Sequence, residues 1–134
     1  MATKKTTTKK TTTKKEITYI YGIYLSDKLA YVGSTENIET RTKTHLANLA
    51  KSKHSNKTLS KMYALDNNIE IKPIYTMNTD NSLAKMMLEM CTICYLQPPA
   101  NRCVYQVGFS RLVFAMVKPD LAKKIIDLLL DYYN

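Results

Sequence analysis

Apolar side chains alternate through Ile17, Tyr19, Tyr21, Ile23 and Leu25, and Ser26-Asp27-Lys28 then interrupts the pattern before a second short apolar run from Leu29 to Gly33. A period of two is the mark of a half-buried strand, because successive side chains leave a strand on opposite faces. Turn-forming residues between two such runs predict a tight hairpin. Two of the three glycines, Gly22 and Gly33, fall within it. Tyrosine is a good strand residue in any setting, and the chain has ten. Tyr24 and Tyr31, however, are placed to pair across the hairpin with both hydroxyls at one end of the sheet, where two buried phenols need polar partners.

After the hairpin the chain reads as helix. Ser34-Thr35-Glu36-Asn37 supplies small polar caps ahead of Ile38, Leu46 and Leu49 at helical spacing. Arg41 and His45, four residues apart, share a face of that helix. Ser55 or Asn56 caps a second helix carrying Leu59, Met62 and Tyr63. Asp66-Asn67-Asn68 turns the chain into Ile69, Ile71, Ile74 and Tyr75, a third strand whose Pro73 suits an edge or an end. Asn78 to Ser82 then opens a largely buried helix from about Ser82 to Leu96. The expected class is α+β: a small three-stranded, mostly antiparallel sheet flanked by helices.

Charge is unevenly spread. The net charge is +9, but Lys4, Lys5, Lys9, Lys10, Lys14 and Lys15 sit in a threonine and lysine repeat, and without those six it is +3. Residues 1–15 have nothing with which to build a core and read as a disordered tail, either a cationic arm for phosphates or a solubilising segment. Between Arg41 and Lys61 lie six basic residues, Arg41, Lys43, Lys51, Lys53, Lys57 and Lys61, and no acidic one. Such one-signed charge favours a polyanion partner over a merely solvated face.

At 134 residues and 45% hydrophobic, the chain fits one modest domain. No apolar run approaches the roughly 20 residues of a membrane span, so a soluble intracellular protein is expected, in the cytoplasm or nucleus, including that of an infected host cell. Cys91, Cys94 and Cys103 are an odd number, which argues against a complete disulfide framework. Cys91-x-x-Cys94 is read as core packing rather than zinc ligation, since no fourth ligand is evident. Glu89 is the sole carboxylate of its helix. It is either one half of an exposed pair with Lys85 or a buried-edge acid that a divalent cation would compensate.

Gly22-Ile23-Tyr24, then Tyr31-Val32-Gly33-Ser34-Thr35, Arg41 with His45, His54-x-Asn56-x-x-Leu59, Glu89, and Asn101 after a proline turn together resemble the GIY-YIG nuclease superfamily. The resemblance covers about Ile17 to Asn101, with valine for the usual isoleucine of the second tripeptide. It implies a nuclease domain at 16–101 of phage, viral or mobile-element type, acting on DNA, RNA not excluded, as monomer or homodimer. Phosphodiester hydrolysis would run at one divalent ion, Mg2+ or Mn2+, held by Glu89. Arg41 would meet the scissile phosphate, Tyr24 would serve as general base, and Tyr31 would position water. His45 would be an acid or relay, unless it is simply structural, and Asn101 would tie its loop to the site or just form the turn. Lys43, Lys51, Lys53, Lys57 and Lys61 would line the nucleic acid. A catalytically inactive nucleic-acid-binding protein that keeps the scaffold is the alternative.

Beyond Asn101 the sequence is less legible. Val104–Val107 and Leu112–Val117 read as strands about Gly108-Phe109-Ser110, and Pro119 opens a helix. Residues 102–134 are expected to form an extension packed on the domain.

Overall fold

The computed structural model describes residues 17–102 and 117–134. The lysine-rich tail, the strand expected over Val104–Val107 and all but the last residue of the strand expected over Leu112–Val117 lie outside the described residues. In chain order the elements are β1 (Ile17–Leu25), β2 (Lys28–Thr35), α1 (Ile38–Ala50), α2 (Lys57–Leu65), β3 (Ile69–Asn78), α3 (Ser82–Leu96), α4 (Pro99–Arg102) and α5 (Pro119–Tyr133). The three strands form one antiparallel sheet in the order β2-β1-β3. The α+β class expected from the sequence is the one observed.

Local chemistry sets the element ends. Ser26 and Asp27 both have positive φ, 47° and 67°, the geometry of a two-residue turn whose twist matches the strands it joins. Neither is glycine, and the turn is held from outside: the Ser26 N–H donates to the Asn68 carbonyl at 2.8 Å. Asn37, Asn56 and Asn81 cap α1, α2 and α3, each accepting from a backbone N–H three residues on at 3.0 Å. An asparagine at each helix start satisfies donors that the helix leaves unpaired. Pro73 lies on the edge strand β3 beside a register shift, where a missing N–H does no damage.

The sheet has a packed layer on each face. On one, Ile20, Val32 and Met77 meet Ala84, Leu88, Cys91, Ile93 and Cys94 of α3, and α5 closes this layer with Ala122 and Ile126. Burial pushes both thiols up, Cys91 to about 11, as expected for cysteines acting as small core residues. On the other face Tyr21, Ile23, Leu25 and Ala30 pack with Leu49 of α1, Leu59 of α2 and Ala100 of α4.

Candidate active site

A single extra residue in β2 decides which tyrosines meet. From the turn, Leu25 pairs with Lys28 and Tyr24 with Leu29, and a regular hairpin would continue with Ile23 opposite Ala30 and Gly22 opposite Tyr31. The register instead shifts, so that Ile23 faces Tyr31, Gly22 faces Val32 and Tyr21 faces Gly33. Ala30 is the bulged residue. Because opposed residues share a face, the bulge moves Tyr31 from the side of Tyr24 to the side of Tyr21. The expected pairing of Tyr24 with Tyr31 is therefore corrected. Tyr24 pairs with Leu29 and Glu70, and Lys72 Nζ lies 4.8 Å from its ring centroid, on the face opposite Tyr21. The Tyr21 and Tyr31 ring centroids are 6.5 Å apart.

Helix α1 brings the basic groups to these rings. The Tyr21 hydroxyl is 2.7 Å from His45 Nε2, and His45 Nδ1 is 2.7 Å from His54 Nε2. The Asn56 backbone N–H donates to His54 Nδ1 at 3.0 Å. The planes of the two imidazoles are within 18° of parallel with centroids 4.9 Å apart, and the Tyr31 ring stands edge-on to His45 at 5.8 Å. Tyr21 is fully buried, and His45 and His54 are nearly so. Arg41, one turn before His45 and exposed, acts on the Tyr21 hydroxyl through its charge and lines an open cavity of about 610 Å³ with Tyr31, His45, His54 and Asn56.

Burial dominates the proton affinities. It raises the Tyr21 phenol, helped by Tyr31 and opposed by the charge of Arg41. It raises Tyr31 as well, with the Glu89 carboxylate adding to the rise. Burial and the neighbouring His54 and Arg41 lower His45 to about 4, so its imidazole is neutral across the physiological range.

Glu89 comes from α3, in the layer on the other face, and approaches the site at the outer end of β2. There Ser34 Oγ donates to its Oε1 at 2.7 Å. Its charge acts on both phenols. Lys85 forms an ion pair with Glu36. Among the described residues no three His, Cys, Asp or Glu side chains gather as a metal cluster. One hard carboxylate oxygen, oriented by a serine hydroxyl, fits a small divalent cation that keeps most of its water, and not a closed zinc site.

Asn101 is buried against the edge strand. Its Oδ1 accepts from the Val32 N–H at 2.7 Å, and its Nδ2 donates to the Val32 carbonyl at 2.9 Å. Both ends of the amide are spent on backbone one residue from Tyr31, so Asn101 ties α4 to β2. Lys43, Lys51, Lys53, Lys57 and Lys61 are all exposed, and none lines the cavity beside Arg41. Lys43 projects from α1 about 200° around the helix from Arg41. A second cavity, of about 490 Å³, shares Thr40 and Arg41 with the first and includes Ser34, Glu36 and Lys85.

Tyr21 is the member of this constellation that motif matching passes over, while Ser34 and His54 stand in the motif without a role attached to them. The strand period carries a signal for Tyr21, which shares a face with Ile23, but the parity of the hairpin depends on a bulge that nothing in Leu29-Ala30-Tyr31 announces.

An α+β domain with helices on both faces of its sheet, paired phenols, an arginine and histidine on one helix, and a carboxylate from a later helix has the build of a small hydrolytic nuclease. The profile of the GIY-YIG catalytic domain matches residues 17–98, and the chain belongs to that family. Its members are typically nucleases and generally depend on a divalent metal, which implies a nucleic acid substrate. Comparison with curated proteins and with solved structures gives no match. Among the described residues no helix is long and apolar enough to cross a membrane.

Proposed function

We propose that this protein is a metal-dependent endonuclease that hydrolyses phosphodiester bonds in DNA. The observation that carries the reading is the buried Tyr21 hydroxyl, 2.7 Å from His45 Nε2 and acted on by the Arg41 charge, with Arg41, His45 and Tyr31 lining an open cavity. A buried phenol tied to a histidine, with a guanidinium charge acting on it, is a group whose ionised form can be stabilised.

Arg41 is the phosphate-binding group, its planar fork matching two phosphate oxygens as charge builds on them. A phosphate that draws the guanidinium outward also uncovers the Tyr21 hydroxyl to water. The Arg41 charge, and that of a cation held by Glu89, would offset the rise that burial imposes on Tyr21 and favour its ionised form. As phenolate, Tyr21 accepts the proton of the water whose oxygen attacks phosphorus, while the bond from phosphorus to the 3′ oxygen breaks and that oxygen is protonated from solvent. Tyr31, on the cavity wall, orients the water. Glu89 would hold the Mg2+ or Mn2+, which when bound supplies charge to polarise the phosphate and stabilise the leaving oxygen. Tyr21 thus takes the base role that motif spacing assigned to Tyr24.

The exposed lysines of α2 and of the loop before it, Lys51, Lys53, Lys57 and Lys61, would hold the flanking backbone without reading sequence. Supercoiled plasmid incubated with the purified chain and Mg2+ should be nicked, and Glu89→Ala and Arg41→Ala should bind DNA without cutting it. Cleavage by Glu89→Ala at the parental rate would remove the metal from the mechanism, and failure to cut any duplex, branched or single-stranded DNA would leave a binding protein.

A further inference from the structure

The hydrogen bonds running inward from Asn56 have only one consistent direction. A backbone N–H can donate and never accept, so His54 Nδ1, 3.0 Å from the Asn56 nitrogen, must present its lone pair. A neutral imidazole carries one proton, and that of His54 therefore sits on Nε2. Nε2 is 2.7 Å from His45 Nδ1, which must in turn accept. The remaining proton of neutral His45 is then on Nε2, 2.7 Å from the Tyr21 hydroxyl oxygen, which accepts it. A cationic His45 would need to donate from Nδ1 to a His54 whose two nitrogens were both already acceptors, a state neutral imidazole does not have.

From this chain we infer that His54 is a positioning residue: it fixes His45 as the Nε2–H tautomer and so reserves the Tyr21 oxygen as an acceptor. Its consequence for catalysis rests on the nuclease reading given above. In this tautomer His45 cannot take the proton of Tyr21. The proton therefore leaves toward another partner, and the phenolate keeps the His45 hydrogen bond without rearrangement. Among the described residues, the groups facing the pair are Tyr21 from β1, Tyr31 from β2, Arg41 from the preceding turn of α1, and the Asn56 N–H at the start of α2. None of them is a carboxylate that would favour an imidazolium. Neutrality also agrees with the lowered proton affinity of both rings.

Nitrogen NMR of the full chain with labelled histidine reads the tautomer directly, at neutral pH and without nucleic acid. The expected spectrum has His45 protonated on Nε2 and bare on Nδ1. A proton on Nδ1, or a cationic ring, would overturn the inference in the parental protein, so no variant has to fold. His54→Phe removes the donor to Nδ1; it should release His45 to a mixture of tautomers and lower kcat by roughly 10²-fold with KM little changed. His54→Gln offers an amide N–H in place of the ring Nε2–H and should restore both the tautomer and most of the rate. An unchanged His45 spectrum in His54→Phe would also overturn the assignment. Absence of cleavage in every variant and in the parent would count against the hydrolytic reading alone, since the ring spectrum needs no substrate.

Discussion

Tyr21 and Gly33 oppose one another across β1 and β2, and a β-carbon on Gly33 would stand 2.5 Å from the Tyr21 hydroxyl oxygen and 2.7 Å from Cζ. The phenol lies across the glycine and uses the space a side chain would take. Tyr21 cannot give way easily, because it is fully buried and tied to His45. Gly33→Ala should therefore push the hydroxyl off His45, destabilise the fold by about 1–3 kcal/mol as overpacking does, and abolish plasmid nicking. Denaturant melts and the nicking assay check the two effects separately. A parental melt together with parental activity would show that the ring is not pinned there.

Tyr21 and Tyr24 lie on opposite faces of β1, and their phenylalanine variants separate the two candidate bases. Tyr21→Phe keeps the ring and removes only the oxygen that His45 holds, so single-turnover cleavage should fall by roughly 10²- to 10⁴-fold. Tyr24→Phe keeps the ring beneath Lys72 and should cut at the parental rate. The reverse outcome would return the base to Tyr24 and empty the proposed site of its centre.

Much of the scaffold was legible in the sequence because its signals are local. Asparagine caps, the Ser26-Asp27 turn, the alternation in β1 and the apolar run of α3 each act within a few residues, and the elements they predict stand in place. The helical pair Arg41 and His45 came from a four-residue spacing alone. Tyr21 did not, because the facing of residues beyond the turn depends on Ala30 being bulged, a choice made by packing of Ala30, Ile23 and Leu25 against Leu49 and Leu59. His54 and Asn101 were visible as motif letters, but their partners, His45 and the Val32 backbone, come from other elements of the chain. Local pattern finds elements; it does not reveal which polar atoms the tertiary fold leaves to satisfy one another.

Asn101→Ala tests one such long-range tie. The variant strips the Val32 N–H and carbonyl of their partners in a buried setting, which costs on the order of 1–3 kcal/mol. Loosening β2 next to Tyr31 should also lower kcat, while DNA binding, carried by Arg41 and the lysines, stays near parental. A gel-shift titration beside single-turnover kinetics separates these. Loss of binding with kcat intact would move Asn101 to the substrate contacts.

The lowered affinity of His45 for protons has a defined sign in stability. Unfolded, the ring titrates near 6.5; folded, near 4, with His54 shifted in the same direction. Between those values the unfolded chain binds more protons, so stability rises with pH through this window, is complete above it, and is lost as the medium is acidified. The His45 contribution is on the order of 3 kcal/mol over the full window. Urea midpoints at pH 7.5 and pH 5 should differ in the parent, and the difference should shrink in His45→Phe, which has no ring nitrogen to titrate. A parental midpoint that held constant down to pH 4.5 would contradict a neutral buried ring.

The amino-terminal repeat lends itself to a measurement that needs only binding. Its six lysines carry most of the chain's excess charge, and residues 1–15 hold no acidic group. Each phosphate contact in duplex DNA releases counterions and contributes about 0.9 to the slope of log K against log salt. If all six lysines engage, removing residues 1–15 should flatten that slope by about 5 and weaken binding at low salt far more than at high salt. Cleavage at saturating enzyme should be unaffected, because Tyr21, Arg41 and Glu89 all lie beyond the deletion. Filter-binding isotherms at several salt concentrations give the slope directly, and an unchanged slope would show that the repeat does not touch the nucleic acid and that affinity resides in Arg41 and the lysines around α2.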